Sequence, residues 1–171
     1  MKERKADLFE MIKEKNVNAI CITTNGHYTT DSRAVMGGGC ASVCARKWPQ
    51  TVSRLGKCLK NFGTNVPFVI GALDDNGNYV EPNMKMIKEN KYKTLIISFP
   101  TIDNLIDGAK LSLIKQSAEE LKKMADRFQL MHVVCPRPGV GIGGLEWKEV
   151  KAVLEPIFDD RFTVVSFEHE E

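Results

Sequence analysis

The sequence predicts an α/β layered domain on a mostly parallel sheet, laid out as a single domain over residues 1–171. Three observations carry that expectation. Apolar runs of strand length alternate with stretches of helical periodicity, the order that gives a layered α/β sheet. The stretch Lys110–Gln129 places Leu111, Ile114, Ala118, Leu121, Ala125 and Phe128 on one stripe at i, i+3, i+4 spacing. Two glycine clusters, Gly37-Gly38-Gly39 and Gly139, Gly141, Gly143 and Gly144, each fall between the end of a strand pattern and the start of a helical one.

Taken in order, Asp7–Lys15 opens like a capping box, with Glu10 three residues after Asp7, and reads as a helix carrying Leu8, Met11 and Ile12. Val17–Thr24 is an apolar strand. Cys40–Trp48 and Pro49–Lys60 are helices, the second with Val52, Leu55 and Leu59 on one face. Pro67–Leu73 is a strand, and Asp75-Asn76-Gly77-Asn78 is a hairpin-type turn. Lys93–Phe99 is a continuous β-branched run, the mark of a strand covered on both faces. Met131–Cys135 and Phe162–Phe167 are the last strands, separated by the helix Glu146–Ile157 with Trp147, Val150 and Leu154 inward.

The length of 171 residues suits one domain with a core that needs no staples. With 24 Lys and Arg against 22 Asp and Glu, the net charge of +2 argues against a dedicated polyanion binder. No apolar run approaches the roughly 18 residues of a membrane span. The opening MKERKADLFE has neither the apolar core nor the cleavage site of a secretory leader. The cysteines, Cys21, Cys40, Cys44, Cys58 and Cys135, lack the paired spacing of a zinc site and read as reduced thiols, so a cytoplasmic location is expected. Cys40 and Cys44 share a helical face, but small buried apolar residues are the simpler reading. No cofactor and no metal are expected.

In such sheets, ligands bind at the carboxyl ends of strands, on the loops that lead into helices. Glycine permits close backbone approach there, and a helix N-terminus offers free N–H groups and partial positive charge. Each glycine cluster is therefore a phosphate site in kind, and two at equivalent points suggest a diphosphate gripped from both sides. The rival reading is that the glycines only make tight turns. Gly139–Gly144 also matches G-x-G-x-x-G, with Glu168 downstream, yet a dinucleotide fingerprint opens its fold, whereas only one helix and one strand follow here. A P-loop is excluded because neither cluster is followed by Gly-Lys-Ser/Thr.

The chain resembles a macro domain, the ADP-ribose-binding α/β module, over nearly its whole length. Ala6-Asp7-Leu8-Phe9 is similar to the family's small-Asp-apolar start. Ala19–Asn25 (AICITTN) is similar to the strand that ends in a ribose-binding Asn. Ala34-Val35-Met36-Gly37-Gly38-Gly39-Cys40-Ala41 resembles the first glycine loop, and Pro136–Trp147 (PRPGVGIGGLEW) the second. The second loop is most like that of the terminal ADP-ribose protein glycohydrolase branch and related phage and bacterial proteins.

The resemblance implies a three-layer α/β/α fold with a mixed, mostly parallel sheet, and binding of ADP-ribose or an ADP-ribosylated molecule by a monomer, with no membrane and with nucleic acid only where it is ADP-ribosylated. It implies that Asp7, beside Leu8, accepts the adenine amino group and that Asn25 bonds the distal ribose. Gly37, Gly38, Gly39 and Cys40 on one side, and Gly139, Val140, Gly141, Ile142 and Gly143 on the other, would cradle the diphosphate. Phe167 would flank the adenine. From the residues alone, Asp7 is also a cap, Asn25-Gly26 a plain turn, Phe167 core, His27 a solvated loop histidine, His132 a satisfied buried residue, His169 an inert tail residue, and Arg137 either a diphosphate partner or part of a stiff Pro-flanked turn. The resemblance also exposes departures. The Lys and Asp that act in the glycohydrolase branch align with Ile102 and Gly143. His27 and Asp103 remain the polar candidates for chemistry at the distal ribose, so binding without turnover is expected, with hydrolysis at the distal ribose (of a 1″-phosphate or of an ADP-ribosyl link) as the alternative.

Overall fold

The computed structural model describes residues 1–167, so Glu168 and His169 lie outside the described residues. The strands are β1 (Lys2–Lys5), β2 (Ala19–Asn25), β3 (Val69–Leu73), β4 (Tyr79–Val80), β5 (Thr94–Ile102), β6 (Val133–Pro136) and β7 (Phe162–Ser166). The helices are α1 (Gly39–Lys47), α2 (Gln50–Phe62), α3 (Met84–Lys88), α4 (Leu111–Phe128) and α5 (Trp147–Leu154). All seven strands form one sheet in the order β1-β7-β6-β2-β5-β3-β4. From β1 to β5 the pairings are parallel; β3 runs antiparallel to β5, and β4 to β3. The mixed, mostly parallel sheet is as the sequence predicts.

Strand alternation sorts the core onto two faces. Ala19 and Cys21 of β2, with Leu95, Ile97 and Phe99 of β5, pack against Ile114, Ala118 and Leu121 of α4 and Val150 and Leu154 of α5. Ile20 and Ile22, with Ile96, pack on the other side against Ala41 and Cys44 of α1 and Val52, Leu55 and Leu59 of α2. Each fully buried large aliphatic side chain stabilises by about 1.5–3 kcal/mol relative to exposure. The central strand β5 is buried along its first eight residues, which is why its sequence shows no alternation. It also runs past Pro100, where a bulge against β2 pairs Thr24 with Pro100 and Asn25 with Ile102.

Three elements escape the sequence pattern. The strand β1 (KERK) is charged and largely exposed because it is the edge of the sheet. The hairpin strand β4 and the helix α3, the latter capped by Asn83 accepting the Met86 N–H at 2.9 Å, are too short for periodicity to show. The helix expected over Asp7–Lys15 is a correction: the chain forms only a 3₁₀ turn, Glu10–Lys13. The Asp7 carboxylate accepts the N–H of Phe9 at 2.8 Å, two residues on, rather than that of the third residue of a helix. The Lys93 ammonium then takes the carbonyls of Ile12, Glu14 and Val17 at 3.0, 2.8 and 3.3 Å, so those acceptors serve a tertiary clamp.

One glycine decides how the loop after β2 lies. A Cβ at Gly56, in the middle of α2, would stand 2.1 Å from the Ser32 carbonyl oxygen and 2.8 Å from the Ala34 nitrogen. That absence lets residues 32–34 lie flat on the helix, where the Ala34 N–H donates to the Val52 carbonyl at 3.0 Å. Ser32 holds a left-handed φ of 61° in this contact.

Candidate functional site

The carboxyl ends of β2, β5, β6 and β7 open into a cleft of two adjoining compartments. The first, 410 Å³, is walled by Asp7, Leu8, Phe9, Val43, Gly141, Val165 and Phe167. The second, 380 Å³, is walled by Thr23, Thr24, Asn25, Gly37, Gly38, Gly39, Thr101, Ile102, Leu105, Gly139, Ile142 and Gly143. Cys40, Pro136, Arg137 and Val140 belong to both and form the waist. Each volume lies in the range of about 300–1,000 Å³ usual for ligand pockets. A larger hollow of 760 Å³ lies at the other end of the strands, by β1 and the amino ends of β7, β6 and β2, among Lys2, Arg4, Asn16 and His132, but no glycine and no helix residue lines it. There the His132 ring contacts the Thr163 hydroxyl at 3.1 Å, and burial pulls its pKa down.

The walls follow from the fold. The loop after β2 delivers Gly37 and Gly38 to the start of α1, whose N-cap is Gly38 in extended conformation with no side-chain cap. The first N–H groups of a helix have no intrahelical acceptor, and Gly39, Cys40 and Ala41, the first residues of α1, line the second compartment. The second glycine loop follows β6 and folds as a 3₁₀ turn, Gly141–Gly143. It is fixed by Leu145 N–H to Gly139 carbonyl (3.0 Å) and by Ala109 N–H to Gly143 carbonyl (3.2 Å). Ile142, 80% exposed, reaches back over the cleft: its Cδ1 lies 3.3 Å from the Cβ position of Gly38.

Charge in the cleft is sparse and placed. Arg137 is the one cation and Asp7 the one anion among the described lining residues. The Arg137 guanidinium lies 4.8 Å over the Trp147 ring, which holds it at the waist. Trp147 itself is half-buried and packed against the core, its indole N–H donating to Glu3 at 2.9 Å. The Cys40 thiol touches the Thr23 hydroxyl at 3.2 Å, and burial pushes its pKa up. Cys44, beneath it, is pushed up to about 12 by burial.

The structure brings together, as lining of the cleft, every residue that the sequence reading picked for binding. Asp7, Leu8, Phe167 and Gly141 stand in the first compartment; Asn25, Gly37, Gly38, Gly39, Gly139, Ile142 and Gly143 in the second; Cys40 and Val140 in both. Phe167 is 68% exposed at the rim, so its core reading is corrected: the alternation of β7 ends at Ser166. The Asn25 side chain shapes its own loop, donating to the Val35 carbonyl at 3.0 Å and accepting the His27 N–H at 2.9 Å. His27 and Asp103 line neither compartment. The His27 Nε2 is buried without a hydrogen-bond partner among the described residues, which corrects its reading as a solvated loop histidine, and Asp103 is exposed, accepting from the Asn65 amide at 3.1 Å. Ile102 and Gly143, by contrast, do face the second compartment. Sequence reasoning did not pick Phe9 and Thr23, which lie inside the Ala6–Phe9 and Ala19–Asn25 segments, nor Val43 and Thr101, which belong to no motif; they reach the cleft from a turn, a helix and two strand ends. Arg137 carried a signal, a cation at the end of a strand just before a glycine loop.

No protein-family model and no curated protein sequence matches the chain. Solved structures do. The macrodomain of Mycobacterium tuberculosis DarG is 21% identical, with a TM-score of 0.68 over 96% of this chain and 95% of that one. The macrodomain of Thermus aquaticus DarG is 19% identical, with a TM-score of 0.69 over 98% and 97%. Thermosipho africanus DarTG, solved in complex with ADP-ribose, is 17% identical with a TM-score of 0.69; 93% of this chain matches 39% of that longer one. The chain therefore has the macrodomain fold. Among the described residues, no helix is long and apolar enough to cross a membrane.

Proposed function

We propose that the chain, acting as a single module and a monomer, binds ADP-ribose or a molecule that carries it, with little or no turnover. The observation that carries this reading is at Gly37 and Gly38. Neither has a positive φ, a Cβ at Gly37 would meet nothing within 4 Å, and one at Gly38 would meet only the flexible tip of Ile142. Neither backbone geometry nor packing asks for glycine there, and a ligand that must approach the α1 N-terminus closely does. The remaining chemistry fits ADP-ribose piece by piece. Asp7 and the exposed Phe167 ring suit an adenine, the waist with its two loops and Arg137 suits a diphosphate, and the compartment at Asn25 suits the terminal ribose. The structure similar to this chain that holds ADP-ribose supports the choice of ligand. All five cysteines are free, in keeping with a cytoplasmic setting.

Turnover is disfavoured by what stands in the second compartment. A general acid, base or nucleophile must lie within hydrogen-bond reach of the reacting atom. Ile102 offers no such group and Gly143 has no side chain, and a Cβ there would lie 2.8 Å from that of Ala109, so a carboxylate could not be seated without displacing the chain. The test is calorimetry against ADP-ribose, ADP-ribose 1″-phosphate and NAD. One-to-one binding of ADP-ribose in the micromolar range, about −7 to −9 kcal/mol, is expected. No heat and no thermal shift at millimolar ADP-ribose would refute the reading, and rapid release of ADP-ribose from glutamyl-linked protein would refute its non-catalytic half.

A further inference from the structure

At the far end of the second compartment the strands β2 and β5 part. Their register slips by one residue, so that Thr24 faces Pro100 while Asn25 faces Ile102. One side chain from elsewhere in the chain bridges this opening. Asn65, three residues beyond the end of α2, donates its amide to the Ile102 carbonyl at 3.2 Å and to the Asp103 carboxylate at 3.1 Å. The same amide lies against the other strand. Its Nδ2 and Cγ are 3.0 and 3.1 Å from where a Cβ of Gly26 would be, so a side chain at residue 26 would crowd Asn65. The three buried side-chain polar atoms that lack a hydrogen-bond partner among the described residues, Thr24 Oγ1, His27 Nε2 and Asn65 Oδ1, all belong to this corner. Buried polar groups are rarely left so, and each such case calls for a reason.

We propose that Asn65 is a positioning residue for the second compartment, tying the bulged end of β5 to the turn after β2 and so fixing Asn25 and Ile102 at the spacing a terminal sugar requires. The proposal rests on the reading of that compartment as the seat of the terminal ribose. Asn65 lies outside the lining of both compartments and acts only through the two strand ends. Its influence is therefore confined to ligands that extend past the diphosphate.

The test compares ADP-ribose with ADP, which fills the first compartment and the waist but lacks the terminal ribose. Asn65→Asp keeps the volume against Gly26, removes the donor and sets a carboxylate beside that of Asp103. Its ADP-ribose affinity should fall about tenfold or more, the size of a lost hydrogen bond to the half-buried Ile102 carbonyl with like-charge repulsion from Asp103 added, while ADP affinity changes less than about twofold. The Asn65→Asp/Asp103→Asn pair reverses donor and acceptor and should recover part of the loss. An equal fall for both ligands, or no fall, overturns the proposal, the first marking Asn65 as a merely structural residue. Should the unaltered protein bind neither ligand, the functional reading fails and this inference with it, a result that the variants cannot imitate.

Discussion

The two glycine loops look alike in sequence and differ in what their glycines are for. In the loop after β6, Gly139, Gly141 and Gly144 all have left-handed φ between 73° and 82°, and a Cβ at Gly139 or Gly143 would press to 2.8 Å on Ile114 or Ala109. Turn geometry and packing account for that loop without any ligand. In the loop after β2, Gly37 and Gly38 have neither constraint, and only Gly39 needs its φ of 58°. Turn geometry and packing thus account for the glycines of one loop and do not account for Gly37 and Gly38 of the other. Glycine count cannot make that distinction; the space around each missing Cβ can.

Substitutions can break or sharpen this contrast. The largest effect is expected at Gly56. Glycine inside a helix ordinarily costs about 1 kcal/mol relative to alanine, so Gly56→Ala would normally stabilise. Here the added Cβ meets backbone of the first loop at 2.1 Å, and the expected outcome in urea denaturation is a loss of about 2 kcal/mol or more, with ADP-ribose affinity lost as the loop lifts. At Gly143 the obstacle is a side chain, so Gly143→Ala should cost about 1–2 kcal/mol, and Ala109→Gly in the same chain should return most of it. Failure of that rescue would mean that packing on Ala109 is not what keeps residue 143 small.

The end of the cleft proposed for the adenine should respond in affinity rather than stability. Asp7→Ala is expected to weaken ADP-ribose binding by about 1–3 kcal/mol. The unaltered protein should discriminate against the inosine analogue and the variant should not; equal discrimination by both would leave Asp7 only its turn with Phe9. The smallest effect concerns Cys40. Burial raises its pKa above the ordinary thiol value of 9.0, so alkylation at pH 7.5 should be slow, should keep rising with pH beyond 9, and should be slowed further by ADP-ribose. Alkylation unaffected by saturating ADP-ribose would place the ligand elsewhere.

The sequence made some of this legible and hid the rest for physical reasons. Repeating burial writes itself into composition, and so α4 and the inner strands were readable to within a few residues. The edge strand β1 was not, because an exposed edge favours charge over the apolar residues that signal a strand. The turn after Asp7 read as a helix because the carbonyl clamp of Lys93 acts from some eighty residues away and leaves no local trace. The glycine loops stood out by composition and order. Asn65 did not, since a lone asparagine in a loop carries no pattern, and its partners Gly26, Ile102 and Asp103 meet only when β2 and β5 pair.

The central claim is that Gly37 and Gly38 are kept bare for a ligand. Gly38→Glu tests it most directly, since its extended backbone accepts a side chain and only the Ile142 tip must move. Calorimetry with ADP-ribose, run beside a thermal melt, should show affinity reduced by more than about 2 kcal/mol through steric block and like-charge repulsion, with the melting temperature held within about 2 °C. Undiminished affinity in Gly38→Glu would contradict the account.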